Sequence, residues 1–154
     1  MTGDLRGYEL RPSTAADRDA IAHVWHASAS LPRVGPPDIP TVEELRTRID
    51  LELAAGWSIT VAVRDGDVIG FVAIKPQAPV LDQLFVRPGY LGIGVGRALL
   101  EHAMAAMPDG FTLHTRSGNW RARRFYEKAG LTFLREDVHP RTGDPVSHYG
   151  WKIR

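Results

Sequence analysis

Hydrophobic positions along this chain switch between two periods, and each switch marks an element. "YELRPS" alternates as a short strand, after which Ile21, Val24 and Trp25 recur at helical spacing through "AADRDAIAHVWHAS", with Ser13 or Thr14 placed to cap. The run "LPRVGPPDIP", four prolines and a glycine, must be a loop of restricted conformation. Thr41 then opens "TVEELRTRIDLELAAG" with Glu44 three residues on, a capping box, and Gly56 stops this second helix. "WSITVAVRDGDVIGFVAIK" holds two β-branched runs around Asp65-Gly66, a hairpin signal, and "APVLDQLFVRP" reads as a strand that Pro88 closes. A helix over "VGRALLEHAMAAM" ends at "PDG", and a strand "FTLHTRS" follows. A helix "NWRARRFYEKAG" lies between Asn119 and Gly130, then come a strand "LTFLRE" and a last hairpin around "RTGDP". The predicted order is β-α-α-β-β-β-α-β-α-β-β, an α/β mixed sheet with helices packed over it. There is no internal repeat and no low-complexity tract.

With 154 residues the chain suits a single domain spanning 1–154. Its 44% hydrophobic and 24% charged content is that of an ordinary globular protein, and no apolar run approaches the ~18 residues of a membrane span, so no membrane partner is expected. The opening "MTGDLRGYEL" has neither a basic nor an apolar leader segment, and cysteine is absent. That excludes disulfides, thiolate metal sites and a cysteine nucleophile, and it favours the cytoplasm. Charge is unevenly spread: residues 1–86 carry 8 basic against 12 acidic side chains, residues 87–154 carry 11 against 6. A basic second part suits a phosphorylated ligand and an acidic first part a cationic one, although a solvated surface would explain both.

The densest chemical signal is "RPGYLGIGVGRALLEHAM", with Gly92, Gly94 and Gly96 at alternate positions before a helix. A dinucleotide turn, G-x-G-x-x-G, fails because Arg97 stands three positions after Gly94, and a P-loop fails because no Lys-Ser or Lys-Thr follows. A plain strand-to-helix turn would need only one or two glycines. The remaining reading is an anion nest: successive backbone N–H groups and the unpaired N–H groups of a helix start, uncovered by missing Cβ atoms, can hold a diphosphate with help from Arg97.

"LFVRPGYLGIGVGRALLEHAM" resembles the acetyl-CoA-binding motif of the GCN5-related N-acetyltransferases, (Arg/Gln)-x-x-Gly-x-(Gly/Ala), with the family positions on Leu91, Gly94 and Gly96. Leu91 stands where the family usually has Arg or Gln, which removes a side-chain contact to phosphate and leaves the amides. "NWRARRFYEKAGLTF" is similar to the family's other signature through Asn119, Ala122, Phe125, Tyr126, Gly130 and Leu131. The resemblance covers residues 8–153 and implies a mostly antiparallel central sheet with helices on both faces. It also implies acetyl transfer from acetyl-CoA, as co-substrate, to a primary amine of a small molecule or peptide by direct attack in a ternary complex. The coenzyme would be held by Phe85, Val86, Leu91, Gly92, Ile93, Gly94, Val95, Gly96, Arg97, Asn119 and Tyr126. Phe85 and Val86 would pair with the pantetheine arm through free backbone groups at a bulge, and the Val86 N–H would steady the oxyanion. Tyr126 would protonate the leaving thiolate.

The spacing of Ala122, Phe125 and Ala129 makes a core stripe, while Arg121, Arg124 and Lys128 form either a contact for the 3′-phosphate or a solvated face. Asp82, expected to share a strand face with Leu84 and Val86, is the candidate base, with His26, His114 and His148 as alternatives. Trp25, His26 and Tyr149 are candidate acceptor walls. His23 and His26 lack i,i+4 spacing and no H-E-x-x-H occurs, so no metal site is expected. The Arg-rich helix lacks an interleaved aromatic platform on the same face, so no nucleic-acid partner is expected either. A homodimer is an open possibility. Transfer of another acyl group, or non-catalytic sensing of acyl-CoA, are the competing functions.

Overall fold

The computed structural model describes residues 7–153. Its elements are β1 Glu9–Pro12, α1 Arg18–Ala29, α2 Val42–Ala54, β2 Ser58–Arg64, β3 Asp67–Lys75, β4 Val80–Val86, α3 Val95–Ala106, β5 Phe111–Arg116, α4 Trp120–Lys128, β6 Thr132–Val138 and β7 Pro145–Trp151. This is the order predicted from the periodicities. Short 3₁₀ turns precede α1 and follow β4. At the first of these the Asp17 carboxylate accepts from the Thr14 N–H at 2.7 Å and is held by Arg11, which keeps its pKa down at about 2. Thr41 caps α2 reciprocally with Glu44, as its sequence indicates.

The seven strands form one sheet in the order β1-β2-β3-β4-β5-β7-β6. Every neighbouring pair is antiparallel except β4 and β5, which run parallel and pair only at Val80↔Thr112. Each face buries its own core. On one side α1 and α2 cover Ile59, Val61, Phe71 and Ala73, with Trp25 packed against Trp57 and Phe85 at centroid distances of 6.0 and 6.2 Å. On the other, α3 and α4 cover Ile69, Val72, Leu81 and Tyr149. The close approach of α3 to the sheet explains Gly70: a Cβ there would lie 3.0 Å from the Phe85 carbonyl oxygen and 3.2 Å from Leu99 Cδ1.

Candidate active site

The site begins where the sheet fails to close. Beyond Val80↔Thr112, β4 and β5 diverge, so one edge of β4 has no strand partner. Which backbone groups face that gap follows from the antiparallel ladder on the other edge. The Arg87 N–H donates to the Ile69 carbonyl at 2.8 Å, which makes Phe71↔Phe85, two residues along, a hydrogen-bonded pair as well. Phe85 therefore spends its backbone groups on β3, whereas Leu84 and Val86 turn theirs toward the gap. The expectation that Phe85 offers free backbone groups is corrected by this register, and Leu84 takes its place. Phe85 still contributes its ring to the lining. The Val86 carbonyl is already occupied, accepting from the buried Ser28 hydroxyl of α1 at 3.0 Å, so the group Val86 has to offer is its N–H.

Below the gap lies a cavity of about 380 Å³ whose wall is overwhelmingly apolar, formed by Leu31 and Val34 of the proline-rich loop, Leu84, Tyr90, Leu91 and Phe125. At its mouth stands the glycine turn. Gly92 and Gly94 have φ of +87° and +91°, and a Cβ on either would meet nothing within 4 Å. These two glycines are required by the left-handed backbone, not by crowding. Gly96 is helical, and a Cβ there would meet Phe125 Cζ and Val86 Cγ2 at 3.6 Å, an ordinary contact. The turn is anchored by the Tyr8 hydroxyl, which donates to the Gly94 carbonyl at 3.2 Å. Ala98 is the first amide of α3 to bond back, to Gly94 at 3.0 Å, so the N–H groups of Val95, Gly96 and Arg97 are the helix's unpaired donors. Val95 itself turns its side chain into the core, 1% exposed, and Ile93 is exposed and outside the lining. Only the backbone of these two can serve a ligand. Arg97 lines the mouth, with Glu101 one turn away at 4.0 Å.

Across the gap, α4 presents Asn119, Ala122 and Tyr126. Asn119 caps the helix, its Oδ1 accepting from the Ala122 N–H at 3.1 Å, which leaves the amide nitrogen for a ligand. Tyr126 is 7% exposed and has no side-chain hydrogen bond among the described residues. Burial pushes its phenol far above the ordinary range, so the hydroxyl holds its proton at every physiological pH. Arg121 joins the lining, whereas Arg124 and Lys128 point to solvent.

A second cavity, about 350 Å³ and more polar, adjoins the first and shares Leu84, Phe85, Asn119, Ala122 and Tyr126 with it. Its outer wall comes from α1, α2, the proline-rich loop, β5 and the β6–β7 turn. Trp25 reaches it edge-on while remaining 5% exposed. Asp82 lines it too, but not in the orientation expected. Ala73 pairs with Gln83 and Ile74 with Leu81, so Asp82 is the extra residue of a β-bulge. The bulge resets the alternation and turns its carboxylate toward the α1/α2 layer, away from the face of Leu84 and Val86. There it accepts from Trp57 Nε1 at 2.8 Å and lies 3.7 Å from Lys75 Nζ. His114 of β5 also lines the cavity. Removal from water, then the neighbouring His148 and Arg48, lower its pKa, against an upward pull from Asp82. Its imidazole is therefore neutral near pH 7.

Two predicted acceptor walls lie elsewhere. His26, adjacent to Trp25, projects from a different side of α1 and lines neither cavity. Tyr149 is fully buried, its hydroxyl bonded to Glu127 and to Arg123 Nε, and it braces β7 against α4. Residues that the sequence reading missed are Ser28, Leu84, Arg48, His139 and Arg141, brought to the cavities by tertiary packing. Of these only Leu84 had a signal, its shared parity with Val86. Among the described residues no group of three His, Cys, Asp or Glu side chains is arranged to hold a metal, and no helix is long and apolar enough to cross a membrane.

The fold that carries this split sheet, the glycine turn and α4 is one that known proteins share. The model of the acetyltransferase (GNAT) family matches residues 24–131, and the chain belongs to that family. It is 39% identical to peptidyl-lysine N-acetyltransferase YjaB of Escherichia coli (strain K12) over 46% of this chain and 47% of that one. It is 38% identical to the 5-NmdU N-acetyltransferase of Pseudomonas phage PaMx11 over 54% of this chain and 62% of that one. The matched stretches thus span about half to three-fifths of those relatives. The fold is that of the acetyltransferase yncA of Salmonella typhimurium, solved with its cofactor acetyl-CoA: TM-score 0.73 at 15% identity, over 94% of this chain and 93% of that one.

Proposed function

We propose that this protein transfers the acetyl group of acetyl-CoA to a primary amine of a small molecule or peptide, by direct attack within a ternary complex. The observation that carries the reading is the meeting of two cavities at Tyr126. The apolar one opens onto unpaired amides suited to a diphosphate, and the polar one is suited to an acceptor. Family membership and the relatives named as N-acetyltransferases support the same chemistry. In this reading the diphosphate lies on the amides of Val95, Gly96 and Arg97, the pantetheine arm pairs with Leu84 and Val86, and the thioester carbonyl accepts from the Val86 N–H. Asn119 and Arg121 flank the coenzyme, and Leu91 supports it through packing.

The neutral amine attacks the carbonyl carbon, a C–N bond forms and the C–S bond breaks. The leaving sulfur takes the Tyr126 proton, and the proton shed by nitrogen passes to His114, whose imidazolium the Asp82 charge stabilises. Without cysteine, the chain fits a reducing compartment, and we place its action in the cytoplasm. The test is coenzyme release in steady state over a panel of amines. The expected result is turnover that falls about 10²–10⁴-fold in Tyr126→Phe, the range for loss of a general acid, with acetyl-CoA affinity retained. Saturable coenzyme binding without turnover on any amine would instead favour a sensor, the role that Leu91 at the usual Arg/Gln position would suit. A preference for a longer acyl chain would redefine the donor.

A further inference from the structure

The second cavity is not acidic, contrary to what the charge of the first half of the chain suggests. Asp38 and Asp82 line it, but so do Arg48, Arg116 and Arg141. The partners decide the balance. Arg116 is neutralised by Asp144 at 2.7 Å, and Asp82 is engaged by Trp57 and Lys75. Among the described residues Arg48 and Arg141 have no carboxylate within ion-pair distance and Asp38 no cation, which leaves two unpaired positive groups in the lining against one negative. Arg48 projects from α2 into the lining with its guanidinium 5.2 Å from the centre of the Trp25 ring, a cation–π contact. Arg141 approaches from the β6–β7 turn. His139 lines the same cavity, its pKa lowered by partial burial and then by His114, Arg116, Arg141 and Arg48, a sign that the local field is positive.

We propose that this cavity selects an acceptor whose amine stands next to an anionic group, a carboxylate or a phosphonate in its place, held by Arg48 and Arg141 while the nitrogen faces Tyr126. The inference rests on the acetyl-transfer reading and narrows its acceptor. Two guanidinium groups in the lining of one pocket can serve the paired oxygens of such a group, and about 350 Å³ is within the ~300–1,000 Å³ typical of small-ligand sites. A lysine side chain within a peptide carries no anion close to its amine and would leave both guanidinium groups unsatisfied.

The test uses matched acceptors with the full chain: an α-amino acid, its decarboxylated amine, its aminophosphonate analogue and a lysine peptide. The expected result is kcat/KM at least tenfold higher for the two anionic acceptors than for the decarboxylated amine or the peptide. In Arg48→Gln and in Arg141→Gln that ratio falls toward one through a higher KM for the anionic acceptor, with the KM for acetyl-CoA unmoved. Arg141 lies on an exposed turn, so its variant reports even if loss of the Trp25 stack compromises folding of the other. Equal rates within the matched set, a preference for the peptide, or equal losses on all acceptors would overturn the proposal. Calorimetric titration of the same acceptors into the coenzyme-loaded protein reads the preference without chemistry. Absence of turnover together with selective binding of the anionic acceptors would sink acetyl transfer and keep the anion site; indiscriminate binding would sink the site.

Discussion

In the proposed mechanism Asp82 acts on His114 through its charge, since its carboxylate is already tied to Trp57 and Lys75. Three influences push the His114 pKa down and Asp82 alone pulls it up. Removing that charge in Asp82→Asn lowers the pKa further, and a weaker base transfers protons more slowly. The rising limb of kcat/KM against pH should accordingly move to lower pH, with a smaller plateau. His114→Asn should abolish the limb, and an NMR titration of His114 in both forms of Asp82 checks the direction independently. An unchanged profile in His114→Asn would reassign the proton to another acceptor.

The glycine turn and α3 behave as one element, because Gly94 ends the turn in the left-handed region and Tyr8 holds its carbonyl. Gly94→Ala introduces no clash, since the space around it is open, but a side chain at φ +91° costs about 1–2 kcal/mol. Urea unfolding should show that loss. A relaxed turn would also re-aim the amides of Val95, Gly96 and Arg97, so the Kd for acetyl-CoA should rise in the same variant. Much of this element was readable from the chain: the dense glycines and the helix formers after them marked a turn running into a helix. Asn119 and Tyr126 were legible for a similar reason, because a cap and a helical face are local. Asp82 was not. A bulge exists only where two strands pair out of step, and neither "VLDQLFV" nor "DVIGFVAIK" reveals that mismatch alone. Tyr149 misled in the other direction: expected as an acceptor wall, it is buried, and its hydroxyl is held by Arg123 and Glu127 of α4. Arg48 and Arg141 are 93 positions apart, and no local pattern connects them.

Across the whole molecule, the sheet is two antiparallel half-sheets, β1-β2-β3-β4 and β5-β7-β6, meeting at a single parallel pair. The chain crosses between them through α3, which packs on β2, β3 and β4. A ligand arm lying along β4 would therefore stabilise the entire fold. At a hundredfold excess over its Kd, acetyl-CoA should add about 2.7 kcal/mol to the unfolding free energy. Hydrogen exchange locates the effect: the amide of Val86 should be protected on binding, whereas that of Phe85, already bonded to β3, should change only as much as the global stability does. Uniform protection along β4 would contradict an arm paired on that edge.

The Val80↔Thr112 junction has one more consequence. The interior seam of this sheet is left unstitched, so in the proposed reaction the cosubstrate would be a reactant and also a temporary part of the scaffold. Each turnover would shorten that guest to a free thiol while the pantetheine portion stays put, leaving the scaffold closed until the spent carrier departs. Exchange of one carrier for the next, with its brief reopening of the seam, would then be the moment in the cycle at which the fold is weakest.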